Sequence, residues 1–208
     1  MSMEEFDSAL EVIRHRVYKD FANKHSELLI TSNAFFVTIN NFQSQNLHFH
    51  AQIWNIALFL NIAQHDLSLL IYQVANEQQS WTRRLAARHL ALVTYETTDD
   101  LTHLLGKPLR DPLENLGLLK NFDNQLREAR LPLISFKKKN EAKLDHIRNL
   151  SAAHRDHDAL ILFKSIKEID VLDILTIGIE LGNIQIEIGK ELEKIFNSIR
   201  NQYSQMKE

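Results

Sequence analysis

Apolar residues recur at steps of three and four along most of the chain, the spacing that places them on one face of an α-helix. The pattern is clearest near the carboxyl end, where Ile174, Ile177 and Leu181 begin a stripe that continues to Ile199. It predicts a long last helix over residues 166–203, opened by a capping box at 165–168. A second apolar stripe runs beside the first, so we expect the first half of this helix to be buried on more than one side.

The same reasoning predicts further helices upstream of this one. They cover residues 3–18, 20–42, 53–76, 80–105, 111–130 and 133–153. Gly106 to Pro108 ends one helix, Pro112 suits the first position of the next, and Pro132 restarts the chain. The predicted fold class is therefore all-α, a bundle of about six or seven helices with a long carboxyl-terminal helix. With no internal repeat or linker in view, residues 1–208 are expected to form a single domain.

Composition supports this interpretation and narrows the chemistry. The chain has only five Gly and three Pro, too few for a turn-rich all-β fold, and no Cys, which excludes thiolate catalysis and cysteine-bound zinc. Polar residues interrupt the most apolar stretch, residues 53–75, so we interpret it as a buried helix and expect no membrane partner. The acidic, amphipathic start lacks the pattern of a secretory signal, and a cytoplasmic setting is expected.

Charge is distributed unevenly along the chain. The net charge is −3, yet residues 137–167 hold eight cations against four anions, so this segment is at +4 and the remainder at −7. Such a local basic surface is typical of proteins that bind a phosphate backbone. The candidate RNA-binding residues are Lys137, Lys138, Lys139, Lys143 and Arg155. The alternative is a lysine-rich helix end that is only solvated.

Residues Arg148, Asn149 and His154 form the one motif within this basic segment. The planar guanidinium of an Arg can hold a phosphate through two hydrogen bonds, and a His can transfer a proton near neutral pH. A competing pair stands upstream, since Arg84 has a similar spacing to His89. That segment fits the start of an amphipathic helix with its basic residues in solvent, so the later motif is favoured.

This motif resembles the signature of the HEPN superfamily (higher eukaryotes and prokaryotes nucleotide-binding). The signature is an Arg, often followed by a polar residue, then a His after four to six intervening residues; Arg148, Asn149 and His154 fit it. The resemblance implies an all-helical fold, a homodimer that brings two motifs together, and metal-independent cleavage of RNA. It identifies Arg148, Asn149 and His154 as the catalytic residues, with attack by the ribose 2′-hydroxyl leaving a cyclic phosphate.

The resemblance also indicates partners. They are RNA, a second copy of the chain and, in toxin or phage-defence systems, a cognate antitoxin or regulatory protein. No cofactor and no metal are expected. On an unbroken helix, six steps of about 100° would leave Arg148 and His154 roughly 120° apart. A turn after residue 153, or the opposite subunit, is therefore needed to complete the site.

Three alternatives stay open at this point. Arg148 could instead form a salt bridge with Asp145 or Asp156 while His154 caps a helix. The protein could then be a non-catalytic helical module that binds RNA, a nucleotide or a protein. The third alternative is a metal-dependent hydrolase. It ranks last because the carboxylates and histidines, including the pair His48 and His50, are not clustered as a ligand set. The spacing leaves the roles of His146 and His157 unassigned.

Overall fold

The computed structural model describes residues 3–149 and 159–205, and within these ranges the chain forms seven α-helices and no strand. The prediction of an all-α bundle is therefore confirmed. The helices are α1 (Met3–Ser44), α2 (His48–Asn76), α3 (Ser80–Leu104), α4 (Lys107–Asn115), α5 (Leu119–Arg148), α6 (Ala159–Glu168) and α7 (Val171–Gln205). In the described part of the chain, none of them is long and apolar enough to cross a membrane.

Four long helices, α2, α3, α5 and α7, form the centre of the bundle. α3 and α7 each pack against the other three, while α1 packs mainly along α2 and α4 closes one end against α2, α3 and α5. Their buried side chains make one continuous hydrophobic cluster. Fully buried members include Phe136, Leu90, Leu101 and Ile174. Burial of such side chains contributes roughly 1.5–3 kcal/mol each, which is the main force that holds the helices together.

Helix α7 approaches its neighbours closely through glycine. A Cβ atom built on Gly178 would lie 3.0–3.3 Å from three side-chain carbons of Leu90 in α3. Gly178 therefore lets α3 of the same chain pack directly against the α7 backbone. Gly182 faces Leu67 of α2 at 3.7 Å by the same measure.

The first two predicted helices, 3–18 and 20–42, are one helix of 42 residues in the structure. The proposed break at residue 19 was wrong because no Gly or Pro stands there to interrupt the backbone ladder. Helix α1 ends after Ser44 instead, where Asn46 adopts a positive φ of 58°. Asn tolerates this left-handed conformation better than most residues.

The predicted helices 111–130 and 133–153 have different boundaries in the structure. Pro112 lies inside α4, and α4 ends in a Schellman motif where Gly117 has φ 70° and the Leu118 amide donates to the Leu113 carbonyl. Pro132 lies inside α5, which continues through it to Arg148. A proline removes one backbone hydrogen bond, and here buried Leu133 and Phe136 pack the following turn into the core, which offsets that loss.

The predicted capping box at 165–168 does not start the last helix. Those residues form the end of α6, and α7 begins at Val171. Asp170 provides the cap, since its Oδ1 accepts a hydrogen bond of 3.1 Å from the Asp173 amide. The long carboxyl-terminal helix itself was correctly predicted, although α1 is longer.

Gln185 provides a test of what a buried amide without hydrogen bonds costs in stability. Its side chain is fully buried in α7, and its Nε2 and Oε1 atoms have no hydrogen-bond partner among the described residues. A buried amide without partners costs about 1–3 kcal/mol. We therefore expect Gln185→Met to raise the free energy of unfolding by about 1 kcal/mol or more in urea denaturation. The control, Gln52→Met on the exposed surface of α2, should change it little; equal effects would contradict this account.

His50 provides a test of pH dependence. It is buried beside the Phe42 ring at 5.2 Å, and burial lowers its pKa from 6.5 because the charged imidazolium is poorly solvated there. Below that pH the unfolded chain binds a proton that folded His50 does not, so stability falls as the pH drops from 6.5 towards the folded pKa. Free energies of unfolding measured over this range should fall less steeply in His50→Gln than in the wild type. Exposed His48→Gln should keep the wild-type slope.

Candidate functional site

Arg148 is the last residue of α5, and Asn149 caps that helix. The segment that follows in the chain, residues 150–158, carries His154, Arg155 and His157 and lies outside the described residues. The structure therefore locates two of the three predicted catalytic residues at one helix end, and the position of the third is not described. Of the two neighbouring histidines, His146 is exposed on the last turn of α5.

The guanidinium of Arg148 is held by groups from two helices. Its Nε lies 3.0 Å from Glu96 Oε1 on α3, and its Nη1 lies 3.3 Å from Asp145 Oδ1 one turn earlier on α5. Its central carbon lies 4.9 Å from the centre of the Tyr95 ring, a distance that suits a cation–π contact. These contacts orient the guanidinium while 38% of the side chain remains exposed.

Asp145 links the two described motif residues. Its Oδ1 contacts Arg148, and its Oδ2 accepts a hydrogen bond of 3.1 Å from Asn149 Nδ2. The alternative expectation of an ion pair between Arg148 and Asp145 is therefore met, as the i,i+3 spacing on a helix allows. Sequence reasoning missed Tyr95 and Glu96, which lie on another helix and carry no spacing signal that points to Arg148. We call Tyr95, Glu96, Asp145, Arg148 and Asn149 the Arg148 cluster.

Carboxylates also pair with most of the lysines predicted to bind RNA. Lys139 Nζ lies 2.9 Å from Glu180 Oε2, and Lys143 Nζ lies 2.6 Å from Asp173 Oδ2, both on α7. Lys138 is exposed and has no such partner among the described residues. Arg155 lies outside the described residues.

Lys137 pairs with Asp99 on α3, and its Nζ is also 3.8 Å from Glu141 Oε1. The hydrogen bond that Lys137 donates to the Asp99 carboxylate raises the pKa of Lys137. Residues 137–167 carry an excess of four positive charges, and four carboxylates from outside this segment pair with its cations. These carboxylates belong to Glu96, Asp99, Asp173 and Glu180. Folding thus compensates the basic surface that the linear count predicted.

The competing basic pair upstream has a structural role. Arg84 Nη1 donates to the carbonyl oxygens of Ile169 at 2.7 Å and Ile166 at 3.3 Å, which connects α3 to the end of α6. Arg83 Nε donates to the Glu77 carbonyl at 2.6 Å and braces the turn before α3. The expectation that the basic residues of this segment lie in solvent was therefore wrong for Arg83 and Arg84, which are partly buried against backbone carbonyls.

The histidines raised as metal ligands do not form a ligand set. His48 and His50 lie in the first turn of α2 rather than in an extended segment, one exposed and one buried. His25 and His65 come closer, with Nδ1 and Nε2 2.8 Å apart, as a hydrogen-bonded pair between α1 and α2. Within residues 3–149 and 159–205, no three His, Asp or Glu side chains are grouped to hold a metal ion.

Comparison of the chain with protein-family models, with curated proteins and with solved structures finds no match. The HEPN resemblance therefore rests on Arg148, Asn149 and His154, and on the all-helical fold around the first two.

The effect of these carboxylates on the basic segment can be tested by removing the ion-pair partners of two of its lysines. The change Asp173→Asn with Glu180→Gln removes the α7 partners of Lys143 and Lys139. We expect tighter binding of single-stranded RNA, with a dependence on salt steeper by roughly 0.7 in the log–log slope for each freed lysine that reaches a phosphate. Fluorescence anisotropy at several salt concentrations, in a His154→Ala background that keeps RNA intact, measures both.

The matched control is Glu187→Gln with Glu191→Gln. It removes the same charge from the later part of α7, where the partners are Lys190 and Lys194. If both double variants gain affinity equally, the effect is one of net charge alone and the lysines near Arg148 do not form a contact surface.

Proposed function

We propose that this protein is a metal-independent endoribonuclease of the HEPN type, in which Arg148 contacts the scissile phosphate and His154 transfers a proton. The observation that carries the proposal is the Arg148 cluster: a partly exposed, oriented guanidinium at the helix end where the chain enters the His154 segment. An arginine already held in place loses less side-chain entropy when it binds a phosphate. A role in a toxin or phage-defence system, with an antitoxin as partner, stays a prediction from the resemblance.

The proposed reaction is an internal transfer within the RNA. The ribose 2′-oxygen loses its proton and bonds to the adjacent phosphorus, while the bond from phosphorus to the 5′-oxygen breaks. That oxygen gains a proton, so the products are a 2′,3′-cyclic phosphate and a 5′-hydroxyl. His154 serves one of the two proton transfers, and Arg148 stabilises the charge that develops on the phosphate oxygens.

Glu96 and Asp145 orient Arg148 without locking it away from a phosphate. Both carboxylates are about half exposed, and exposed ion pairs of this kind are worth only about 0–1 kcal/mol. A hydrogen bond to a charged group is worth about 1.5–3 kcal/mol, so a phosphate oxygen can compete for the guanidinium. Their contacts engage Nε and Nη1, and Nη2 is the donor through which we expect the phosphate to be reached first.

A non-catalytic binding module is the second candidate, and the pairing of the basic residues favours it. In that case Arg148 is a structural link between α3 and α5, and the exposed Lys138 and the residues beside it contact RNA, a nucleotide or a protein partner. The two candidates differ in one observable, because the enzyme breaks the RNA and the module only binds it.

The test is RNA cleavage by the purified full chain in the presence of EDTA. We expect loop or single-stranded RNA to be cut, with a 2′,3′-cyclic phosphate on the products. His154→Ala should lower the rate by a factor of about 100 or more, because a general acid or base is lost. Arg148→Lys should also fail, since an ammonium group cannot reproduce the planar fork of donors.

His89→Ala is the matched control, an exposed histidine on α3 that lies outside the motif, and it should retain activity. Products with a 5′-phosphate and a requirement for metal would refute the mechanism. Tight binding with every RNA left intact would establish the module instead.

A further inference from the structure

The hairpin of α1 and α2 carries a long stretch without formal charge. From Leu28 to His65 there are 38 consecutive residues with no Asp, Glu, Lys or Arg, although these types make up 25% of the chain. The stretch covers the second half of α1, the turn and the first half of α2. The exposed side chains of this stretch therefore include no Asp, Glu, Lys or Arg.

Large apolar side chains are exposed on this neutral surface. Four lie on α1, with exposed fractions of 47% for Leu29, 68% for Ile30, 59% for Phe36 and 56% for Val37. We call these four residues the α1 patch. A contiguous exposed apolar patch on a charge-free background is typical of a surface that is covered in the working protein.

The α1 patch points away from the contacts that already hold α1. On the inner side of the helix, the carbonyl of Leu28 and the hydroxyl of Ser32 each accept a 2.7 Å hydrogen bond from Asn61 of α2. Further along, Ile39 is buried. The patch therefore remains uncovered after the bundle has formed.

The α1 patch is symmetric about Asn33. Ile30 and Phe36 lie three residues from it on either side, and Leu29 and Val37 lie four residues from it. Residues three and four positions away share a face of an α-helix, so all four surround exposed Asn33. A two-fold axis through Asn33 would place Leu29 and Ile30 of one copy against Phe36 and Val37 of the other, and the reverse, as a self-complementary interface requires.

We propose that the α1 patch is the interface of a homodimer in which two α1 helices cross antiparallel at Asn33. In this arrangement Ile30 of one copy faces Val37 of the other, and Leu29 faces Phe36, because side chains on the same flank of each helix meet across an antiparallel pair. Neutral surfaces suit pairing with themselves, because a charge close to a two-fold axis would lie near its own equivalent. The buried centres of protein interfaces are likewise poor in charged residues and rich in aromatic ones.

The same features argue against other occupants. Nucleic acid is bound mainly through lysine and arginine, which the stretch lacks. Helices that lie on membranes usually carry Lys and Arg on their polar face, and the polar residues here are Asn, Gln, Ser and Thr.

This dimer is independent of the ribonuclease proposal and differs from the motif-facing dimer that the HEPN resemblance implies. The hairpin meets α7 near Phe196, whose ring lies 5.9 Å from that of Phe35, whereas α5 meets α7 near Asp173 beside the Arg148 end. At 1.5 Å per residue these positions on α7 are about 35 Å apart. The α1 interface therefore neither completes nor covers the Arg148 cluster.

Sedimentation velocity of the full chain over a dilution series tests the interface. The wild type should show a concentration-dependent dimer, and Ile30→Lys and Val37→Glu should each be monomeric with unchanged helical circular dichroism. An equimolar mixture of the two variants should recover a dimer, because Lys at 30 then faces Glu at 37 once and Ile faces Val once. Thr38→Glu, on the other side of α1, should remain dimeric.

A cross-link tests the position of the axis. The chain has no Cys, so Asn33→Cys introduces a single thiol. Oxidation should convert it to a covalent dimer, since a disulfide needs Cα atoms about 4.4–6.8 Å apart. Thr38→Cys should stay monomeric on a denaturing gel.

Three outcomes would overturn the proposal. They are a monomeric wild type at every concentration, a dimer that Val37→Glu leaves intact, and a monomer that binds vesicles of phosphatidylcholine and phosphatidylglycerol through the α1 patch. RNA cleavage by the wild type is measured in parallel. Cleavage without a dimer counts against the α1 interface only, and a dimer without cleavage counts against the ribonuclease proposal only.

Discussion

The burial of α7 between α2, α3 and α5 is the constraint on which the rest of the molecule depends. Gly178 brings the α7 backbone close enough for Leu90 to pack directly on it, while Gly182 and Gly189 face Leu67 and Leu60 at ordinary van der Waals distances. Close-packed cores tolerate little change in volume, so these contacts fix both the spacing and the rotation of the helix. The rotation of α7 then decides which carboxylates face α5, and with them the electrostatics of the candidate site.

The basic segment shows how tertiary contacts change the charge that a linear count assigns to a surface. Residues 137–167 carry an excess of four positive charges in the sequence, and α3 and α7 bring four carboxylates against them. Most of these ion pairs are exposed, so each adds little to stability. Their effect is on the potential at the surface, which is far less positive than the segment alone would produce. Any RNA that binds here has to displace or accommodate them.

The two ends of the bundle have contrasting chemistry. At one end the Arg148 cluster combines a guanidinium, two carboxylates, an amide and an aromatic ring within a few ångströms. At the other end the α1 and α2 hairpin presents neutral polar and apolar side chains without one formal charge from Leu28 to His65. Charged clusters suit polar ligands, and neutral apolar surfaces suit association. The Arg148 cluster and the hairpin lie near opposite ends of the long helix α7. Ligand binding at one end and self-association at the other therefore need not interfere.

The sequence by itself determined the all-α class, the long carboxyl-terminal helix and the candidates Arg148 and Asn149, because helical periodicity and residue chemistry are local properties. It did not determine whether a proline ends a helix: Pro132 and Pro112 are both inside helices, since packing of the neighbouring turn outweighs one lost hydrogen bond. It also did not distinguish between two possible caps for α7, the pattern at 165–168 and Asp170, of which the structure uses Asp170. Only the tertiary structure decided the partners of Arg148, because Tyr95 and Glu96 reach it from another helix, and proximity across a bundle depends on how helices rotate against a shared core.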